Sequence, residues 1–141
     1  ENGTLCVAPK TYIERLALQY KSMFGVAPTT TYRAPLEKND HPELDTSSLL
    51  NEDGITQYQS LIGAMQWTIT LGRFDVSVAV MTMSGFRVAP RVGHLERLRR
   101  IVGYLYKKRN GYVRVRTGEP DFSDLPPKRH DWSHTVYRDV K

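Results

Sequence analysis

The stretch from Tyr58 to Val80, YQSLIGAMQWTITLGRFDVSVAV, constrains the fold most strongly because it is the most apolar part of the chain and is broken once. Its apolar residues recur at helical spacing, with Gly63 in the first half. The break, Gly-Arg-Phe-Asp at 72–75, is typical of a turn, and Asp75 suits the N-cap of a following helix. We therefore predict two helices that fold back on each other.

Hydrophobic periodicity along the rest of the chain predicts a mainly α (α+β) fold. The predicted elements are strands at Thr4–Val7 and Tyr112–Arg116, the second half-buried, and helices at about Thr11–Phe24, Thr56–Leu71, Asp75–Phe86 and Arg91–Lys108. In the first helix, Thr11 and Glu14 have the spacing of a capping box, and Gly25 supplies the C-terminal stop. The second helix has a predicted core stripe of Leu61, Ile62, Met65 and Ile69.

These elements divide the chain into four parts. Residues 1–25 hold the first strand and helix, 26–54 form an acidic, proline-rich linker, 55–109 are helical, and 110–141 hold the second strand and an irregular tail. The chain begins without Met, and no strand precedes Thr4–Val7. We expect an internal piece of a longer polypeptide, with an unpaired strand edge and low stability in isolation.

Charge is distributed in two blocks of opposite sign. From Glu37 to Asp53 there are six acidic residues and one lysine, and from Arg87 to Arg116 there are ten basic residues and one glutamate. A basic block of this density attracts polyanions, of which nucleic acid is the usual one, although a solvated surface is the alternative. Cys6 is the only cysteine, which excludes an internal disulfide, and no apolar run is long enough for a membrane span.

The sequence offers no convincing catalytic constellation and no metal site. His130 and His134 share a helical spacing, but nothing nearby supplies further ligands, and the tail around them is rich in proline. Ser60, Ser84 and Cys6 lack a recognisable paired base. We predict a binding surface, with no catalytic residue, no metal ligand and no cofactor in this chain.

Gln59, Gly63 and Trp67 lie on one face of the second predicted helix, since they are four residues apart. One interpretation is structural: Gly63 permits close packing of helices and Trp67 belongs to the core. The other interpretation is a groove track, meaning a helix face that follows a nucleic-acid backbone. In it Gln59 hydrogen-bonds a groove edge, Gly63 allows close approach, and Trp67 lies against sugars. Spacing alone favours the structural interpretation.

Several motifs in sequence order resemble the polyproteins of copia-type LTR retrotransposons. They are GTLCVAPKTYI from Gly3, YQSLIGAMQW from Tyr58, the turn with Arg73 and Asp75, and the helix with His94, Arg100 and Tyr104-Leu105. The resemblance covers about residues 3–116. This chain departs from the family pattern at Phe74 (usually Pro), Leu95 (usually Trp) and Ala8-Pro9 (usually Ser-Gln).

The resemblance implies the thumb and connection of a reverse transcriptase, an RNA-directed DNA polymerase. The first strand would belong to the primer-grip hairpin, and both the polymerase and RNase H catalytic residues would lie elsewhere, together with the ligands for the Mg²⁺ that the parent polymerase would use. The implied partners are a template–primer duplex and the remainder of the polyprotein, with no membrane. The implied location is a cytoplasmic virus-like particle.

The second helix also resembles the retroviral thumb helix that follows the minor groove, and there Gln59, Gly63 and Trp67 match Gln, Gly and Trp. With this match the groove track becomes the preferred interpretation. We add Arg97, Arg100, Lys107 and Lys108 of the last helix as predicted nucleic-acid contacts. The alternatives are a stand-alone helical nucleic-acid-binding domain and a protein-interaction module that uses the apolar faces of the second and third helices.

Overall fold

The computed structural model describes residues 3–118 and 123–124. Its elements, in chain order, are β1 (Thr4–Val7), α1 (Lys10–Phe24), α2 (Glu52–Thr70), α3 (Ser77–Ser84), α4 (Val92–Lys107) and β2 (Val113–Arg116), with short 3-10 turns at Pro42–Leu44 and Phe74–Val76. The predicted fold class is therefore confirmed: the chain is mainly helical, with two short antiparallel strands. Most of the predicted irregular tail lies outside the described residues.

An apolar core lies between the four helices. It is formed by Ile13, Leu16 and Tyr20 of α1, Tyr58, Leu61, Ile62 and Met65 of α2, Val76, Ala79, Val80 and Met83 around α3, and Leu95, Leu98, Ile101, Val102 and Leu105 of α4. Three of the four predicted stripe residues of α2 are fully buried, and Ile69 packs partly buried at the core's edge. Burial of these side chains is the main force that holds the helices together.

Helix α1 begins one residue before the predicted cap. Pro9 holds the N-cap position and no side chain caps the helix, so the predicted capping box of Thr11 and Glu14 is wrong. Thr11 is the second residue of the helix, so its hydroxyl is not at the N-cap position. The predicted stop is confirmed, since Gly25 has a left-handed backbone (φ 73°) and its N–H donates to the carbonyl of Lys21.

Helix α2 begins earlier than the predicted Thr56. The side-chain oxygen of Asn51, the N-cap residue, accepts a hydrogen bond from the N–H of Gly54 at 2.9 Å. Glu52 and Asp53 form the first turn, where negative charge is favoured by the helix dipole. Residues that the sequence placed at the end of the acidic linker therefore start the helix.

The predicted turn between α2 and α3 is confirmed, but the predicted role of Asp75 is wrong. Gly72 takes φ 101° at this turn, a conformation that favours glycine. Asp75 then lies within a 3-10 turn, and Val76 holds the N-cap of α3 without a side-chain bond. The reason is that the carboxylate of Asp75 accepts two charge-assisted hydrogen bonds from Arg73, at 2.7 and 2.8 Å, which are stronger than a neutral cap bond.

Helix α4 lies within a residue of its predicted bounds, and His94 ties it to the preceding segment. The buried His94 ring accepts a hydrogen bond at Nδ1 from the N–H of Arg91, at 3.1 Å. Its Nε2 therefore carries the proton and donates to the carbonyl of Pro42 at 2.9 Å. The ring also stacks on Phe86, with centroids 4.2 Å apart.

The segment of residues 26–51 packs along α4. Leu49 forms an antiparallel bridge with Arg91. The carbonyl oxygen of Thr29 lies so close to Gly103 that a Cβ at this glycine would come within 2.0 Å of it. Glycine at 103 therefore allows the segment to approach the helix backbone directly.

Strands β1 and β2 pair with each other, with Thr4 opposite Arg116 and Val7 opposite Val113. The expectation that β1 lacks a partner is wrong, because a strand more than 100 residues later supplies it. The prediction that the second strand is half-buried is also wrong, since only Val113 is partly buried. Both errors concern long-range contacts, which have no local signal in the sequence.

Candidate nucleic-acid interface

The three predicted contact residues of α2 form one exposed stripe. Gln59, Gly63 and Trp67 are all exposed on the helix, and Trp67 keeps 54% of its surface accessible. The side-chain nitrogen of Gln59 donates to the carbonyl of Arg87 at 3.0 Å, which orients the carboxamide. Trp67 is therefore outside the core, contrary to the structural interpretation of this face.

Gly63 is not explained by packing among the described residues. A Cβ built at this position meets nothing within 4 Å, so no neighbouring helix requires a glycine there. Glycine in an exposed helix interior is about 0.8–1 kcal/mol less favourable than alanine. Among residues 3–118, no internal contact offsets this cost.

Arg97, a predicted nucleic-acid contact, is paired inside the chain. Its guanidinium bonds both carboxylate oxygens of Asp40, at 2.8 to 3.0 Å, and one oxygen of Asp45, at 2.6 Å. The hydrogen bonds from Arg97 lower the pKa of the Asp40 carboxyl. The acidic segment thus neutralises this part of the basic helix.

Of the other predicted cations of α4, Lys107 and Lys108 are exposed, whereas Arg100 is as shielded as Arg97, with 19% of its side chain exposed against 22%. Arg100 pairs with Glu37 at 2.6 Å, but Glu37 is largely exposed, and such surface pairs contribute little. Lys107 and Lys108 are exposed at the end of the helix, where the ammonium of Lys107 donates to the carbonyl of Thr31 at 3.3 Å. The structure therefore places Lys107 and Lys108 at one end of α4, away from the doubly paired Arg97.

We expect the Asp45 carboxyl to make the stability of the protein depend on pH in the acidic range. The hydroxyl of Ser47 donates to Asp45, and this bond, together with the one from Arg97, lowers the Asp45 pKa to about 2. Because the folded-state pKa of Asp45 lies below the ordinary 3.8, the ionised carboxylate stabilises the fold fully above pH 3.8. This stabilisation is lost as the pH falls through 2. We expect the free energy of unfolding, measured by urea denaturation, to fall over this range.

The matched control for this acid effect is Asp45→Asn, which cannot ionise. The difference in unfolding free energy between the protein and this variant should narrow as the pH is lowered from 4 to 2. A difference that stays constant over that range would show that Asp45 is not the group responsible.

The Arg73–Asp75 pair is a feature whose role the sequence did not reveal. Arg73 is only 4% exposed, although it is charged, and it also donates to the carbonyl of Lys108 at 3.1 Å. The hydrogen bonds from Arg73 lower the pKa of Asp75, which also accepts a bond from the hydroxyl of Tyr104 at 3.1 Å. The pair therefore joins the turn after α2 to the end of α4.

Residues 3–118 and 123–124 contain no group of three or more His, Cys, Asp or Glu residues that could hold a metal ion. Nor does any helix in these ranges have the length and apolar character needed to cross a membrane. Cys6 is a free, exposed thiol. His130 and His134, considered above as metal ligands, lie outside the described residues.

No family model matches this sequence, and no solved structure matches it. The curated proteins that it resembles are of one class, proteins of transposons. One is a putative transposon Ty5-1 protein of Saccharomyces cerevisiae, 34% identical over 118 residues. Another is a retrovirus-related Pol polyprotein from transposon RE1 of Arabidopsis thaliana, 31% identical over 114 residues.

The matches cover 83% and 81% of this chain but only 36% of the yeast protein and 7% of the Arabidopsis polyprotein. The chain thus spans a small part of the curated relatives it matches. The similarity supports the broader part of the sequence prediction, a portion of a retrotransposon polyprotein.

Proposed function

We propose that this chain is the thumb and connection part of a copia-type reverse transcriptase, and that α2 binds a template–primer duplex. The observation that carries the proposal is the exposed stripe of Gln59, Gly63 and Trp67, in which no contact within the described part of the chain explains Gly63. The names of the two relatives, a transposon protein and a Pol polyprotein, support the broader part of the proposal, a portion of a retrotransposon polyprotein.

Each residue of the stripe has a distinct role in this proposal. Gly63 lets the helix backbone approach the floor of a groove, because it has no side chain to keep the two surfaces apart. The exposed Trp67 ring lies against sugars, and the carboxamide of Gln59, oriented by the carbonyl of Arg87, offers its oxygen to a donor at the groove edge.

Phosphate contacts come from the accessible cations of α4. Lys107 and Lys108 are exposed, and Arg100, whose side chain is 19% exposed, reaches a phosphate when it releases the exposed Glu37. We assign Arg97 to bracing the acidic segment, since two carboxylates already hold it. The Mg²⁺ chemistry of a polymerase is not assigned to any of the described residues.

Gly63→Val tests the groove contact. We expect the affinity for a blunt DNA–RNA hybrid duplex, measured by fluorescence anisotropy, to fall roughly tenfold or more, because a branched side chain separates the helix from the groove. Stability should not fall, since the added side chain meets open space and valine is a better helix former than glycine.

The matched control is Ser22→Val, which places the same side chain on the exposed face of α1. It should leave duplex affinity unchanged. Equal affinities for the original protein and Gly63→Val would rule out the groove contact.

The exposed apolar face of α3 favours a second candidate function, binding of another protein segment. Val78 and Met81 are large apolar side chains of α3 that are exposed, and the remainder of a polyprotein is a suitable partner. A salt titration separates the two candidates. Duplex binding through phosphates weakens steeply as salt increases, whereas an apolar protein interface changes little.

A further inference from the structure

An open pocket of about 490 Å³ lies where the turn after α2, residues 72–75, meets the end of α4 and the start of β2. The buried Arg73 lines the pocket and donates a hydrogen bond to the Lys108 carbonyl, which is at the end of α4. Two helices end near this pocket, and the carbonyls of helix C-termini carry partial negative charge. The guanidinium of Arg73 offsets part of that charge at the end of α4 through its hydrogen bond to the Lys108 carbonyl.

Exposed aromatic rings are concentrated at this pocket. Of the large aromatic side chains in residues 3–118, three are exposed: Trp67, Phe74 and Tyr112. Phe74 and Tyr112, which are 62% and 55% exposed, both line the pocket. Exposed apolar surface gathered at one concave site indicates a ligand that covers it.

The charges around the pocket favour an anion. Lys107 and Lys108 line it and are exposed. The lining carboxylate is Asp75, and its charge is already taken up by two hydrogen bonds from Arg73. The lining therefore has an excess of positive charge beside two aromatic rings.

We propose that this pocket binds an unpaired nucleotide of a single-stranded nucleic acid. The base stacks on the exposed rings of Phe74 and Tyr112, and Lys107 and Lys108 contact the adjoining phosphates. Stacking on aromatic rings beside a positive surface is how proteins bind single strands without sequence preference. This inference goes beyond the duplex contact of α2, and the pocket begins directly after that helix ends at Thr70.

The experiment measures binding of a short fluorescent oligothymidylate by anisotropy at several salt concentrations. Phe74→Ala and Tyr112→Ala should each weaken binding roughly tenfold, the usual effect of removing one stacking ring. Tyr112→Leu keeps an apolar side chain but removes the π face, so it should lose affinity as well. Lys108→Ala should reduce the slope of log affinity against log salt by about 0.7.

Lys21→Ala, at an exposed lysine of α1 outside the pocket, is the matched control and should leave the salt slope unchanged. The inference is overturned if the aromatic variants bind the oligonucleotide as tightly as the original protein does. It is also overturned if Lys21→Ala reduces the salt slope as much as Lys108→Ala does. Both rings are exposed, so these variants should retain the original denaturation midpoint.

The same proteins, assayed with a blunt duplex, separate this inference from the proposed function. Gly63→Val should weaken duplex binding and leave single-strand binding intact, whereas Phe74→Ala and Tyr112→Ala should do the reverse. If Gly63→Val does not weaken duplex binding, the duplex proposal fails and the single-strand result still stands, and the same holds in reverse for the aromatic variants.

Discussion

Arg97→Met should lower the free energy of unfolding by about 2–3 kcal/mol, because it leaves two carboxylates without their cation. Asp40 and Asp45 are only 14% and 9% exposed, so water replaces the lost bonds poorly. Methionine retains most of the apolar stem of arginine, which separates the loss of charge from a loss of packing. Urea denaturation followed by circular dichroism measures the effect.

Arg100→Met is the matched control, three residues further along the same helix. Its partner Glu37 is 71% exposed, and an exposed pair contributes about 0–1 kcal/mol. Equal losses in the two variants would contradict the distinction between Arg97, which is held by two shielded carboxylates, and Arg100, whose partner carboxylate is exposed.

Gly103→Ala should destabilise the protein by about 2 kcal/mol through overpacking against the 26–51 segment. The added Cβ would lie 2.0 Å from the carbonyl oxygen of Thr29 and 3.1 Å from the ring of Tyr32. The first of these is backbone, so the segment must move away from α4. Thermal or urea denaturation gives the change in stability.

Gly63→Ala is the control for this glycine effect, since it makes the same chemical change in open space. It should raise the free energy of unfolding by roughly 0.5–1 kcal/mol, the helix preference of alanine over glycine. A loss of stability in Gly63→Ala would mean that this position has an internal contact after all.

The helices could be predicted because their signals are local. Apolar spacing located α4 to within a residue, and it identified the buried Leu61, Ile62 and Met65 of α2. The start of α2 was missed because the actual cap, Asn51, precedes two acidic residues that were assigned to the linker. Competing local bonds, such as that between Arg73 and Asp75, also decided which residue caps a helix.

Contacts between distant parts of the chain could not be predicted in the same way. The two charge blocks were visible, but the sequence favoured an external polyanion for the basic one, whereas the structure pairs Arg97 with Asp40 and Asp45. The opposite charge of the two blocks was the signal that could have suggested this pairing. The exposure of Trp67 and the open space at Gly63 likewise required three-dimensional packing to be known.

The pairing of β1 with β2 has a consequence for how such a segment can be carried in a longer chain. Thr4 lies opposite Arg116, so the polypeptide enters and leaves the helical bundle at neighbouring points. Flanking segments are therefore kept the same short distance apart whatever happens between the strands. Insertions in the surface connections of the bundle would therefore leave the spacing between the segments before β1 and after β2 unchanged.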